Sequence, residues 1–227
     1  MTDKDISRIA VIVAHPDDEV LGFGGTIARY AAAGVTVSVL ILATGLTSRG
    51  AASQDQIDLL QASSREAAQK LGVARLSFSD FPDNRMDSVP LLDVVQRIEA
   101  FLAEAEPQRV YTHHAGDLNI DHRITHQAVL AACRPLPGQG VRELLAGEIN
   151  SATEWSGPAF SAFSPTEYVD ISAVLDAKLA ALSAYESEMR PWPHSRSIEA
   201  VRALALLRGS QVGVSAAEAF VTLRRLA

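Results

Sequence analysis

The chain has 227 residues, of which 48% are hydrophobic and 21% are charged, a balance typical of a globular protein with a full core rather than of a disordered chain. The formal net charge of -7 disfavours a nucleic-acid partner, and the single cysteine excludes intramolecular disulfides and cysteine-rich zinc sites. The sequence has no signal-peptide pattern and no apolar run long enough to span a bilayer, so we expect a soluble, cytoplasmic protein without a membrane span.

Strand and helix patterns alternate along the chain. Short apolar, β-branched runs predict strands at 9–15, 35–42, 75–81, 109–114 and 143–150. Amphipathic stretches predict helices at 21–34, 57–72, 89–107, 122–134 and 197–209, and a strand edge followed by a helix at 166–187. This alternation predicts βαβ units, and therefore a single α/β domain over residues 1–227 with a mostly parallel sheet flanked by helices.

Polar loops follow the first four predicted strands. They are "HPDDE" (15–19), "TGLTSRG" (44–50), "PDNRMD" (82–87) and "HHAGDLNIDH" (113–122). In open α/β sheets, ligands bind at the carboxyl ends of the strands. We therefore expect these four loops to converge on one rim of the sheet and to form the functional site there.

The first of these loops places an imidazole and three carboxylates directly after a core strand, where they are costly to desolvate unless a cation neutralises them. An acidic first helical turn would explain Asp18 and Glu19, but it does not explain His15. His15 and Asp18 can bind one ion together, and His and Asp without Cys suit Zn²⁺, Co²⁺, Fe²⁺ or Ni²⁺. In "DHRITH", His122 and His126 share one helix face, and spacing alone does not decide which of them supplies a third ligand.

Several motifs carry a resemblance to a known family. "AHPDDE" after the first apolar strand, with a later "DH" that opens a helix after the fourth strand, resembles the PIG-L/LmbE-like family of metal-dependent N-deacetylases. The segments "GFGGTIARYAAAG", "KLGV", "AYESEM" and "RGSQVGVSAAEAF" are similar to the family in the same order, so the resemblance covers nearly the whole chain. It implies a Rossmann-like sheet that carries one Zn²⁺, or Fe²⁺ or another divalent transition metal. It also implies hydrolysis of the N-acetyl group of a small amino sugar or glycoconjugate.

The resemblance also implies roles for individual residues. The metal ligands of the family map onto His15, Asp18 and His122, and its general base maps onto Asp17. Asp121 is then placed to orient a neighbouring group by hydrogen bonding.

The sequence departs from the family pattern at two positions. Many members have a histidine where this chain has Asn119, and asparagine can donate a hydrogen bond but cannot carry positive charge. Many members also have an arginine where this chain has Leu60, and we nominate Arg49 as its substitute in contact with the substrate. With His122 as the ligand, His126 becomes a pocket residue. The candidates for the role that Asn119 leaves open are His113, His114, His126 and His194.

Two other functions remain open from the sequence. Related family members are hydratases of unsaturated dicarboxylates; such a substrate demands several cationic side chains, and only Arg49 and Arg85 can be nominated. A non-catalytic metal- or nucleotide-binding module would share the sheet, but it would not need Asp17 as a spare base. A homo-oligomer is possible because small members of the family often associate, although no stretch of this sequence marks an interface.

Overall fold

The structure is a computed structural model that describes residues 6–46 and 53–226. Its strands are β1 (Arg8–Val13), β2 (Thr36–Ala43), β3 (Arg75–Phe81), β4 (Arg109–His113), β5 (Glu143–Gly147), β6 (Glu167–Asp170) and β7 (Ala217–Arg225). They form one sheet in the order β3-β2-β1-β4-β5-β7-β6. The first five strands in chain order are parallel, and β7 runs antiparallel to both of its neighbours.

Helices cover both faces of this sheet. They are α1 (Asp18–Ala32), α2 (Gln54–Leu71), α3 (Leu91–Ala105), α4 (Ile120–Ala132), α5 (Leu175–Leu182) and α6 (Ile198–Ser210). Helices α1, α2 and α5 pack against one another, and α3 packs against α4. Alternate residues of β1 point into two separate hydrophobic clusters, with Val11 in one and Ile12 in the other, so this strand is buried on both sides. The predicted α/β fold with a mostly parallel sheet flanked by helices is confirmed. Within the described ranges, no helix is both long and apolar enough to cross a membrane.

Strand β7 is the element that the sequence patterns did not predict. It carries Glu218 at a position that the sheet buries, which interrupts the apolar pattern of a core strand. The carboxylate is satisfied there because it accepts the backbone N–H groups of Gly25 and Thr26, at 2.8 and 2.7 Å, and the ammonium of Lys178, at 2.6 Å. A buried ion pair of this kind becomes visible only when distant parts of the chain are brought together.

A second buried ion pair joins the first residues of β4 and β5. The Nε of Arg109 donates to Oε2 of Glu143 at 2.6 Å, both side chains are 1% exposed, and Arg109 also donates to the Tyr30 hydroxyl. In an Arg109→Met variant the cation that stays near the buried carboxylate, among the described residues, is the half-exposed Arg225, at 3.4 Å. We expect the free energy of unfolding, measured by urea denaturation, to fall by about 3–5 kcal/mol.

The matched control is an Arg75→Gln variant. Arg75 pairs with Glu104 at 2.8 Å, but the two side chains are 44% and 64% exposed, so we expect a change below about 1 kcal/mol. Equal decreases in the free energy of unfolding in the two variants would contradict a larger contribution from the buried pair than from the exposed one.

Candidate metal centre and active site

The candidate site lies where the direction of winding of the sheet reverses. From β1 the chain continues to β2 on one side, and β4 later takes the other side of β1. Such a switch point opens a crevice at the carboxyl ends of the central strands. The loops after β1, β3 and β4 meet there, since His15 Nε2 lies 2.9 Å from Asp121 Oδ2, and the Asn84 N–H donates to the same oxygen at 2.6 Å. Of the loop after β2, residues 47–52 lie outside the described residues, and the predicted substrate contact Arg49 lies among them.

Three of the sequence-predicted residues bring ligand atoms to one point. His15 Nδ1 lies 3.3 Å from both Asp18 Oδ2 and His122 Nε2, and the last two atoms are 3.2 Å apart. All three residues are buried. Ligand atoms at about 2.0–2.1 Å from a tetrahedral ion stand about 3.3–3.4 Å from one another. The donor set and its spacing therefore fit one divalent transition-metal ion.

The other ring nitrogen of His15 faces a second group of carboxylates. His15 Nε2 lies 2.9 Å from Asp121 Oδ2 and 3.2 Å from Asp83 Oδ1. Asp121 already accepts the backbone N–H groups of Asn84 and Met86, at 2.6 and 2.9 Å. This array orients the imidazole of His15 through hydrogen bonds, in the way that outer carboxylates orient histidine ligands of metals.

A carboxylate also faces the other ring nitrogen of His122. Its Nδ1 lies 3.1 Å from Oδ2 of Asp117, and that oxygen also accepts the Thr153 hydroxyl at 2.7 Å. Asp117 lies in the polar loop after β4 and is not among the site residues predicted from the sequence. The ring of His113 stacks on that of His122, with centroids 3.9 Å apart.

Asp17 stands in an unusual backbone conformation between the two ligands of the first loop. Its φ is +98°, a region that costs a non-glycine residue of the order of 1–3 kcal/mol and is found mainly at functional sites. It occupies the N-cap position of α1, yet its side chain makes no capping hydrogen bond. Glu19 instead accepts the Asp17 N–H at 3.1 Å and the Tyr185 hydroxyl. Helix capping therefore explains the backbone position of Asp17 but leaves its carboxylate available for another role.

Burial and neighbouring charge set the protonation of this cluster. Burial raises the pKa of Asp17 to about 7, although the guanidinium of Arg196 opposes the shift. Burial also raises the pKa of Glu19 to about 8, against the hydrogen bond from Tyr185. Burial lowers the pKa of His122, but the carboxylates of Asp18 and Asp117 outweigh it and raise the value to about 9. The site thus attracts cations, whether protons or a metal.

The predicted helper histidines lie at the edges of this cluster. His126 follows one helical turn after His122 and donates through Nδ1 to the carbonyl of His113 at 2.8 Å. His194 accepts the Arg196 N–H through Nδ1 at 3.0 Å, and its ring meets Trp155 edge-on. Neither ring has a hydrogen bond to Asp17 among the described residues. Their predicted catalytic roles stay predictions.

Arg196 is a second functional candidate, after Asp117, that was not predicted from the sequence. Its Nη1 donates to Asp17 Oδ2 at 3.1 Å, although 179 residues separate the two in the chain. The available signal was the polar stretch "RPWPHSRS" before α6, in which His194 rather than Arg196 was predicted to be functional. Asn119 has no hydrogen bond to Asp17 among those of the described residues; it caps α4, because its Oδ1 accepts the Asp121 N–H at 2.8 Å.

Comparison with known proteins identifies relatives of the chain. The PIG-L family model, GlcNAc-PI de-N-acetylase, matches residues 10–133. The uncharacterized deacetylase YaiS of Escherichia coli K12 is 33% identical over 134 residues, which are 57% of this chain and 69% of that protein. A 1D-myo-inositol 2-acetamido-2-deoxy-alpha-D-glucopyranoside deacetylase of Saccharopolyspora erythraea is 30% identical over 243 aligned positions, covering 82% of this chain and 78% of that protein.

A solved structure with a different activity has a similar fold. The 4-carboxy-2-hydroxymuconate hydratase GalB of Pseudomonas putida KT2440 superimposes with a TM-score of 0.77, covering 97% of this chain and 98% of that chain at 22% identity. At this identity the likeness shows the fold alone. The family model, by contrast, spans more than half of the sequence and contains the three converging residues. The chain therefore belongs to the PIG-L family of deacetylases.

Proposed function

We propose that this protein is a metal-dependent N-deacetylase that removes the N-acetyl group from a small amino sugar or glycoconjugate. The observation that carries the proposal is the convergence of His15, Asp18 and His122, with the buried carboxylate of Asp17 between the first two in the chain. The relative from Saccharopolyspora erythraea, whose name describes an acetamido sugar as its substrate, supports the substrate class.

The proposed metal ligands are His15 Nδ1, Asp18 Oδ2 and His122 Nε2, and the proposed metal is Zn²⁺ or Fe²⁺. When bound, the ion supplies Lewis acidity toward the acetamide carbonyl and toward water. Asp121 and Asp117 face the remaining ring nitrogens of the two histidines and hold both rings in place.

Asp17 is the proposed general base and, later, the general acid. Its Oδ2 faces Arg196, while its Oδ1 has no hydrogen-bond partner among the residues that the structure describes, so Oδ1 can accept a proton. As an O–H bond of water breaks, that proton passes to Asp17 and the water oxygen bonds to the carbonyl carbon. When the C–N bond breaks, Asp17 returns the proton to the leaving nitrogen. The products are a free amine and acetate.

The charge of the site favours this reaction over hydration of a dicarboxylate. Five buried aspartates surround the candidate centre: Asp17, Asp18, Asp83, Asp117 and Asp121. A substrate with two carboxylates would be repelled unless several cationic side chains bound it. Among the described residues, Arg196 is a single cation whose Nη1 already pairs with Asp17 and Glu188, and Arg85 is exposed in the loop after β3; Arg49 lies outside them. An uncharged acetamido sugar meets no such repulsion.

The proposal is tested with a panel of N-acetylated amino sugars and unsaturated dicarboxylates. Metal-free, Zn²⁺-loaded and Fe²⁺-loaded protein are compared by enzymatic acetate determination and by labelling of the free amine. We expect acetate and amine in a one-to-one ratio, from metal-loaded protein only. Loss of the ultraviolet absorbance of a dicarboxylate, without acetate from any sugar in the panel, would instead support the hydratase.

Metal binding is expected to release protons. The metal-free site holds a proton on His122 at pH 7, because the pKa of this imidazole is raised to about 9, and a metal ligand must give that proton up. Metal affinity should therefore rise with pH from 6 toward 9 and fall as the medium becomes acidic. Calorimetric titration with Zn²⁺ at pH 7, in buffers of different ionisation enthalpy, should report roughly one to two protons released per ion. A heat that is independent of the buffer would contradict the expected exchange.

Zinc as the physiological metal, a cytoplasmic location and self-association are further parts of the proposal that rest on the sequence and the family. Self-association is tested by size-exclusion chromatography with light scattering. The identity of the metal is tested by metal analysis of protein purified without added metal.

A further inference from the structure

We infer that Arg196 is a catalytic residue of the proposed deacetylase, which donates from Nη2 to the acetamide oxygen as this oxygen becomes negatively charged. The inference rests on the proposed function. It concerns stabilisation of the transition state, the role of the family histidine that Asn119 replaces in this chain. Transition states of amide hydrolysis place negative charge on the carbonyl oxygen, and a fixed donor beside that oxygen is worth about 10²–10³-fold in kcat.

The guanidinium of Arg196 is anchored on two of its three nitrogens. Nε donates to the Ser151 hydroxyl at 2.6 Å, and Nη1 donates to Asp17 Oδ2 at 3.1 Å. Nη1 also lies 3.6 Å from Glu188 Oε2. These partners come from the loops after β5, β1 and α5, so several parts of the fold fix the orientation of one planar group.

The third nitrogen is left over. Nη2 has no hydrogen-bond or ion-pair partner among the residues that the structure describes. The Arg196 side chain is 24% exposed, whereas that of Asp17 against it is 2% exposed. The guanidinium is therefore the solvent-facing group beside the proposed base, and its Nη2 N–H groups are available to donate hydrogen bonds to a bound substrate.

The position of Arg196 also suits the movement of charge in the reaction. When Asp17 takes a proton from water, negative charge leaves its carboxylate and appears on the oxygen of the substrate. A cation fixed beside both groups stays close to that charge throughout, without having to reorganise. Arginine keeps its positive charge under all conditions of the assay, whereas the asparagine at position 119 carries no charge.

Each of the other candidates makes at least one hydrogen bond to a group other than Asp17. Asn119 caps α4 through Oδ1 and donates from Nδ2 to Asn84 at 3.0 Å. Three of the predicted histidines each bond a backbone group through one ring nitrogen: His113 to Ala14, His114 to Ser161, and His126 to His113. Within the described part of the chain, Arg196 is the one arginine or lysine within hydrogen-bond distance of Asp17.

The test compares Arg196→Gln, Arg196→Lys and the control Arg202→Gln. Arg202 lies in α6, is half exposed and pairs with Asp176 on the surface, so its loss should change nothing in the site. For each variant we would measure kcat and KM for acetate release, metal content and Tm. We would also measure by calorimetry the affinity for the methylphosphonamidate analogue of N-acetylglucosamine, whose tetrahedral phosphorus carries the anionic oxygen of the transition state.

For Arg196→Gln we expect kcat to fall about 10²–10³-fold and affinity for the analogue to fall by a similar factor, while KM changes less than about threefold. The lysine variant keeps the charge and should recover part of the loss. Added guanidinium chloride should restore activity to the glutamine variant but not increase that of Arg202→Gln. A role limited to structure would lower Tm and would not be rescued by guanidinium.

The outcomes separate the inference from the proposed function. Suppose that the wild-type protein releases acetate. If the kcat of Arg196→Gln then equals that of the wild-type protein, whether or not its KM rises, Arg196 does not stabilise the transition state. If the wild-type protein with metal releases no acetate from any N-acetyl amino sugar, the deacetylase proposal fails and the role of Arg196 fails with it. If the glutamine variant does not fold, the lysine variant decides: unchanged kcat and unchanged affinity for the analogue would overturn a role for the guanidinium fork.

Discussion

An Asp17→Asn variant is expected to lose acetate release almost completely, with kcat lower by about 10³-fold. The substitution keeps the shape of the side chain, but an amide cannot take a proton from water or return it to the leaving nitrogen. Metal content should stay at the wild-type level, because the proposed ligands His15, Asp18 and His122 are untouched. Steady-state acetate assays and metal analysis of the same preparations measure both quantities.

The control for this variant is Asp87→Asn, which removes an exposed carboxylate in the turn after β3 and should leave kcat within about twofold. An Asp17→Asn variant with substantial activity would show that another group takes the proton, and the roles of His126 and His194 would then have to be measured first. A variant that loses its metal would instead place Asp17 among the ligands.

Removal of one ligand is expected to have the second large effect. In a His122→Ala variant the remaining donors, His15 Nδ1 and Asp18 Oδ2, still stand 3.3 Å apart, but the three-residue set is broken. Loss of an outer partner of a metal ligand already costs about 10–100-fold in affinity, so we expect at least about 10²-fold weaker binding of Zn²⁺. Acetate release should fall in parallel at limiting metal and recover only partly at high metal concentration.

His126→Ala is the matched control, since His126 is a buried histidine on the same helix one turn later. It donates to a backbone carbonyl, and among the described residues no hydrogen bond or ion pair joins its side chain to the three converging residues, so its replacement should leave the metal affinity unchanged. The two variants are compared by competition with a chelator of known affinity. Weaker metal binding in His126→Ala together with normal binding in His122→Ala would reverse the assignment.

The position of the site could be predicted from the sequence because the site lies at the carboxyl ends of predicted parallel strands. The apolar run before His15 and the later run before His114 are local patterns, and parallel strands place their carboxyl ends on the same edge of the sheet. Spacing could not decide between His122 and His126, since both lie on the same face of α4. The structure separates them because only His122 approaches His15 and Asp18, while His126 points toward the backbone of β4.

Residues that reach the site from distant parts of the chain could not be predicted from the sequence. The contact between Arg196 and Asp17 depends on how the loop before α6 packs over the end of β1, and no local periodicity records such a contact. Asp117 was hidden for a similar reason, since its importance comes from its distance to His122 rather than from its spacing in the chain. Strand β7 was missed because the Lys178 that neutralises Glu218 lies on a different element.

The left-handed backbone of Asp17 connects the stability of the fold with the chemistry of the site. A φ of +98° persists only where the surroundings hold it, and here the Asp17 N–H is bound by Glu19, whose other oxygen accepts the Tyr185 hydroxyl. Glu19 and Tyr185 are thus expected to keep the base in position without contacting the substrate.

The most direct test of the central claim is anomalous diffraction at the zinc absorption edge from crystals of the protein grown with Zn²⁺. The claim predicts one strong anomalous peak bounded by His15 Nδ1, Asp18 Oδ2 and His122 Nε2, at about 2.0–2.2 Å from each atom. A peak on the other side of His15, between its Nε2 and the carboxylates of Asp83 and Asp121, would contradict this ligand set. The absence of any peak near His15 at saturating Zn²⁺ would contradict the metal centre itself.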